Sequence, residues 1–127
     1  MRKEIKTKKA PAAIGPYSQA VEKNGMLFIS GQLPIIPETS ELISDNIQKA
    51  TDQVLKNLIA VVEAANYLKS DIVKVNVFVK SMGDFTAVNE IYKKYFVDTK
   101  PARAFVEVSD LPKQAIIEIE AVAILGA

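Results

Sequence analysis

The stretch Val73-Lys74-Val75-Asn76-Val77-Phe78-Val79-Lys80 places valine at every second position, the period-two, β-branched pattern of a strand. What stands on either side of it decides the fold class. Upstream, from Asp45 to about Leu68, the apolar residues Ile47, Ala50, Val54, Leu58, Val61 and Ala65 recur at spacings of three and four, the mark of one helical face. About 22 residues at 1.5 Å each make a rod of about 33 Å, long enough to lie across a sheet. Downstream, Asp84 is placed to cap a second helix with the stripe Phe85, Val88, Tyr92 and Tyr95/Phe96, which ends before Lys100-Pro101.

Further out, two strands close the chain. In Ala102 to Val108, one face carries Ala102, Ala104, Val106 and Val108, and the other Arg103, Phe105 and Glu107. In Ile116 to Leu125, Ile117, Ile119, Ala121, Ala123 and Leu125 share an apolar face, opposed by a mixed face of Ile116, Glu118, Glu120, Val122 and Ile124. Towards the N-terminus, Lys3 to Thr7 reads as a short strand and Lys8 to Pro16 as a loop punctuated by Pro11, Gly15 and Pro16. Asn24-Gly25 joins Ser18–Lys23 to Met26–Ser30 as a hairpin, because a tight primed turn needs positive φ at both central residues. Pro34 and Pro37 make Gly31 to Glu41 a second loop. The order predicts one α+β domain over residues 1–127, a mixed sheet with two helices on one face.

Two helices leave the other face bare. Phe78, Phe105, Ile116, Val122 and Ile124 are expected there beside Arg103, Glu118 and Glu120. Large apolar patches are unusual on soluble monomers, so that face is expected to be buried by subunits around a closed axis, with Arg103 and Glu120 at the interface.

Composition removes many chemistries. The 127 residues carry a net charge of +1 with no Cys and no His. That excludes disulfides, Cys/His zinc sites, thiol nucleophiles and Ser-His-Asp arrangements, and argues against a nucleic-acid binder that relies on a strongly basic field. The charged start, Met1 to Lys6, lacks the apolar core of a signal peptide, and the apolar runs Leu58–Val62 and Ala121–Leu125 are too short to span a bilayer; a soluble, cytoplasmic protein is expected. Glycines at 15, 25, 31, 83 and 126 fit no phosphate-binding loop, so no nucleotide cofactor is expected, and no carboxylate spacing suggests a metal. The basic run Arg2, Lys3, Lys6, Lys8 and Lys9 reads as a solvated terminus.

Arg103 is the informative charge. On a hidden, apolar-rich face its guanidinium needs an anion: either Glu107, Glu118 or Glu120 in a salt bridge, or a small carboxylate or phosphate ligand, for which its planar fork is suited.

Five segments, Gly15-Pro16-Tyr17-Ser18-Gln19-Ala20, Ile29-Ser30-Gly31-Gln32, Val88-Asn89-Glu90-Ile91-Tyr92, Pro101-Ala102-Arg103 and Ile117-Glu118-Ile119-Glu120-Ala121, resemble in order and separation the RidA (YjgF-type) family of reactive-intermediate deaminases. The resemblance implies a chorismate-mutase-like fold and a homotrimer with one site in each cleft between subunits. It implies hydrolysis of 2-imino acids or their enamines, such as 2-iminobutanoate and 2-iminopropanoate released by pyridoxal-phosphate enzymes, to 2-oxo acids and ammonia. Carried over by motif, Arg103 clamps the substrate carboxylate, assisted by the Gly31 backbone and the strand after Arg103. Glu120 positions or activates water, and Tyr17, Ser30 and Asn89 line the cleft. No covalent nucleophile is needed, because an imine carbon is already electrophilic.

Two positions depart from the family pattern. Phe105 stands where many relatives carry cysteine, which would narrow the substrate pocket, and Ser40 stands where they usually have glycine in a turn. A non-catalytic module that binds a small carboxylate is the principal rival; against it, Glu120 near a bound anion costs electrostatic energy that a pure binder would avoid. RNA cleavage or translation inhibition is the third alternative, disfavoured by the charge balance and the lack of histidine.

Overall fold

The structure, a computed structural model, describes residues 1–126. Its strands are β1 (Lys3–Ile5), β2 (Ala20–Lys23), β3 (Met26–Gln32), β4 (Ile72–Val79), β5 (Ala102–Glu107) and β6 (Ile117–Ile124), and its helices α1 (Ile47–Ala64) and α2 (Phe85–Phe96). The strands form one sheet in the order β1-β2-β3-β6-β4-β5, antiparallel except for the β4–β5 pair. β4 and β5 run parallel because α2 crosses between them.

Local chemistry accounts for the connections. Asn24 and Gly25 take φ of 53° and 73°, as the hairpin between β2 and β3 requires. α1 starts at Asn46, whose side chain accepts from the Lys49 N–H at 3.0 Å. It stops at Ala64, short of the expected Leu68, where the chain turns at Asn66 with φ 64°. Asp84 makes no side-chain cap on α2. The helix grows instead from a tight turn at Met82–Asp84, whose Met82 N–H donates to Glu107 at 2.7 Å and whose Gly83 N–H donates to Ser81 at 3.3 Å. Ser40 holds φ 65°, a left-handed geometry that explains why glycine suits that turn.

The core lies between sheet and helices. Leu27, Ile29, Val75, Val77, Val79, Ile117, Ile119 and Ala123 from the strands meet Ala50, Val54, Leu58, Val61, Val88 and Phe96 from the helices. Thr51, Leu55, Asn57 and Val62 are buried too, so α1 is covered over a wider arc than its stripe of three and four spacings. The opposite face carries Phe28, Phe78, Val122 and Ile124, with Phe28 and Ile124 still 47% and 45% exposed. Leu125 also stays exposed, past the end of β6.

On β5 the expected faces are inverted. The parallel register sets Arg103 beside Val75 and Phe105 beside Val77, on the helix-covered side, while Ala104 and Val106 sit beside Asn76 and Phe78 on the bare side. Ile116, just before β6, likewise packs against the core. Alternation identified two faces of β5 correctly, but apolar content chose the wrong one as inner. At an edge strand the inner face is set by which side α2 covers, and α2 offers aromatic rings on which an arginine and a phenylalanine can lie.

Candidate functional site

The seven residues singled out from the sequence fall into two groups, one on each side of the sheet. On the bare side, Tyr17, Ser30, Gly31 and Glu120 line a groove of about 700 Å³, together with Ile14, Gln19, Lys113 and Glu118. A β-bulge builds its floor. Ile29 pairs with Ala121 and Gln32 with Ile119, so Ser30 and Gly31 together oppose the single residue Glu120, an arrangement that re-aims side chains beside it. Ser30 is tied down, its N–H donating to Gln19 O at 2.9 Å and its hydroxyl to Ser18 O at 2.6 Å. The Glu120 carboxylate is oriented by Asn76, whose amide donates to it at 3.0 Å. Its neighbour Glu118 is half-buried, and burial first and the Glu120 charge second push its carboxyl above the usual range.

The loop bearing Tyr17 is anchored by Gln19, which is buried. Its side chain accepts from Thr7 N–H at 2.7 Å and donates to Thr7 O at 3.0 Å and Pro11 O at 2.8 Å. Gly15 takes φ 126° and lies under the Tyr17 ring, which remains exposed at the mouth of the groove. Nothing about a lone glutamine in a polar segment signals this role except its place inside the Tyr17-Ser18-Gln19-Ala20 motif.

On the helix-covered side, at the β5 edge, Arg103 and Asn89 meet: the guanidinium Nη1 donates to Asn89 Oδ1 at 2.8 Å. Three rings surround the same guanidinium, with Cζ 4.7 Å from the centroid of Tyr92, 5.4 Å from Phe105 and 5.7 Å from Phe85. Phe85 and Phe105 hold each other edge-to-face at 4.7 Å. Burial raises the Tyr92 hydroxyl, with Arg103 opposing, so the ring stays neutral beneath the cation.

Among the described residues, Arg103 has no carboxylate partner. The ion pairs among the described residues are Lys56–Asp52 and Lys80–Asp110, and Glu107 accepts from the Met82 backbone, so the expected internal salt bridges are not made. An always-charged fork, oriented by an amide and stacked on rings, can accept an anion. The expectation that Arg103 and Glu120 share a face is also overturned: they face opposite sides because Val75 and Asn76, their neighbours on β4, are consecutive. Tyr92 and Phe85 read in the sequence as core stripe alone; their spacing from Asn89 on one helix was the signal of a second use.

A mixed sheet backed by two helices, with an arginine ringed by aromatics at one edge and a groove lined by two glutamates on the bare face, defines an α+β protein of one sheet and two helices. The family model described as endoribonuclease L-PSP matches residues 7–125, and the chain belongs to that family, the YjgF/RidA family indicated by its motifs. It is similar to a RutC family protein of Pyrococcus horikoshii, with 51% identity over 97% of this chain and 98% of that protein. It is also similar to the 2-iminobutanoate/2-iminopropanoate deaminase of Mus musculus, with 45% identity over 99% and 93%. The crystal structure of Escherichia coli TdcF with bound serine superposes with a TM-score of 0.94 at 42% identity, covering 98% of this chain and 99% of that one. Homologues named as reactive-intermediate deaminases support a deaminase role for the chain. No helix among the described residues is long and apolar enough to cross a membrane.

Proposed function

We propose that the chain, acting as one unit over residues 1–127, is a cytoplasmic hydrolytic deaminase of 2-imino acids and their enamines, working as a homotrimer with its sites between subunits. The observation that carries this reading is the guanidinium of Arg103, fixed by Asn89 and three rings with no carboxylate among the described residues to neutralise it. Such a group is built to take an anion from outside its own chain.

Its chemical partner is on the other side of the sheet. A cleft between two copies, the Arg103 edge of one against the Glu120 groove of the next, unites the two halves. The exposed Phe28, Val106 and Ile124 supply apolar surface for that association. In the cleft Arg103 holds the substrate carboxylate, with the Gly31 backbone and β5 assisting. Tyr17 packs on the substrate, Ser30 and Asn89 keep the walls in place, and Phe105 limits the room for the side chain. Glu120, aimed by Asn76, takes the proton from water as it attacks the imine carbon. Water and the imine yield a 2-oxo acid and ammonia with no cofactor in the scheme. A carboxylate-binding module would gain nothing from Glu120 close to its anion.

The test is the rate of 2-oxobutanoate formation from 2-iminobutanoate, generated in place by a threonine dehydratase and trapped in competition by semicarbazide. Wild type is expected to outpace the trap and Arg103→Ala to fail. A wild type that does not outpace it at any protein concentration overturns the deaminase reading and leaves the binding module.

A further inference from the structure

Two carboxylates line the groove, and the deaminase reading employs one. Glu118 and Glu120 stand two residues apart on β6 and project from the same face. Glu118 lies over Gly31: a Cβ at that position would fall 1.8 Å from its Oε2 and 2.6 Å from its Cδ. Only glycine leaves that seat vacant for a carboxyl group. Among the described residues, no lysine or arginine forms an ion pair with either glutamate.

The groups facing Glu118 are few. Its own strand brings the Glu120 charge, β4 brings the neutral Phe78 and Asn76, and β3 brings Ser30 and Gly31. The turn at residues 112–114 brings Lys113, and the N-terminal loop brings Tyr17. A half-buried carboxyl beside a second one, without an ion-paired cation, keeps its proton to higher pH than an ordinary glutamate, as its upward shift reflects.

We propose that Glu118 is the second proton carrier of the groove, serving the imine nitrogen while Glu120 serves the water. This rests on the deaminase reading. As water adds to the imine carbon, its proton passes to the Glu120 carboxylate and the Glu118 proton passes to nitrogen, giving the carbinolamine. As the carbinolamine collapses, its O–H proton passes to Glu118 and the Glu120 proton to the departing nitrogen. The C–N bond breaks, the carbonyl forms, ammonia leaves, and both carboxyl groups regain their starting states. Gly31 is then required for what it lacks as well as for its backbone.

The experiment is the pH dependence of kcat and kcat/KM for wild type, Glu118→Gln and Lys113→Met in the semicarbazide assay, with folding checked by circular dichroism. Wild type should lose rate on the alkaline side as Glu118 ionises. Glu118→Gln should lower kcat about 100-fold with little change in KM and abolish that limb, and Lys113→Met should retain it. Carbon NMR of the wild type should place the Glu118 carboxyl titration at the same limb, a readout that needs no variant. A Glu118→Gln enzyme with wild-type kcat and limb, a limb abolished by Lys113→Met, or a Glu118 carboxyl titrating in the ordinary range overturns the proposal while leaving the deaminase reading intact. A wild type inactive at every pH overturns both.

Discussion

Arg103 and Glu120 occupy opposite faces of one sheet, Arg103 beside Val75 and Glu120 beside Asn76 on the shared neighbour strand β4. Side chains of consecutive strand residues point to opposite faces, so no rotamer change within a chain brings the two charges to one ligand. On the proposed deaminase reading, in which both charges serve one ligand, this register calls for a second copy.

Complementation between copies tests the proposed trimer. Arg103→Ala and Glu120→Gln should each be inactive alone, and samples reassembled from equal amounts should recover about one quarter of the wild-type clefts if each cleft draws its arginine and its glutamate from different subunits. Activity of the mixed sample, with the oligomeric state followed by light scattering, checks this. No recovery from mixed trimers would exclude a composite site.

Removal of the anion receptor should be expensive. Arg103→Ala is expected to lower kcat/KM about 100-fold without loss of folding, and Arg103→Lys to recover little, because the bidentate fork and its stacking are lost. Steady-state kinetics of the two variants decide between fork geometry and charge alone.

Tyr92 separates ring from hydroxyl. Its buried hydroxyl has no hydrogen-bond partner among the described residues, so Tyr92→Phe should keep KM and leave stability unchanged or raised by about 1 kcal/mol. Tyr92→Leu removes the platform 4.7 Å from the guanidinium and should raise KM by roughly 3- to 30-fold, the range of a partly desolvated cation–π contact. Thermal unfolding and KM read the two effects independently.

Gly31→Ala brings its Cβ against the flexible end of Glu118. The carboxyl should swing out at little cost in thermal stability, while activity drops by about 10-fold or more from the misplaced group. A stable variant with full activity would show that the seat under Glu118 is unused.

Gln19→Leu should destabilise by about 2 kcal/mol, read as a lowered urea midpoint, because the backbone groups of Thr7 and Pro11 lose their partners. The loop carrying Tyr17 loosens with it, so KM should rise more than kcat falls.

Much of this protein is legible in its sequence. Valine alternation over residues 73–80 and the three and four spacing of Ala50, Val54, Leu58 and Val61 set β4 and α1, since burial of one face is enough to select the period. Asn24-Gly25 set the hairpin because few residues accept its φ values. The motif residues of the candidate site were also legible, and Tyr17, Ser30, Gly31 and Glu120 do gather in one groove, as Asn89, Phe105 and Arg103 gather at one edge.

Tertiary structure alone decided which face of β5 turns inward, the bulge that sets Ser30 and Gly31 against Glu120, and the rings that surround Arg103. Each depends on pairing between segments distant in the chain, and the alternation within a strand reads the same whichever face is covered. The sequence carried the residues of the chemistry; the register between β4, β5 and β6 divided them into two halves on opposite faces.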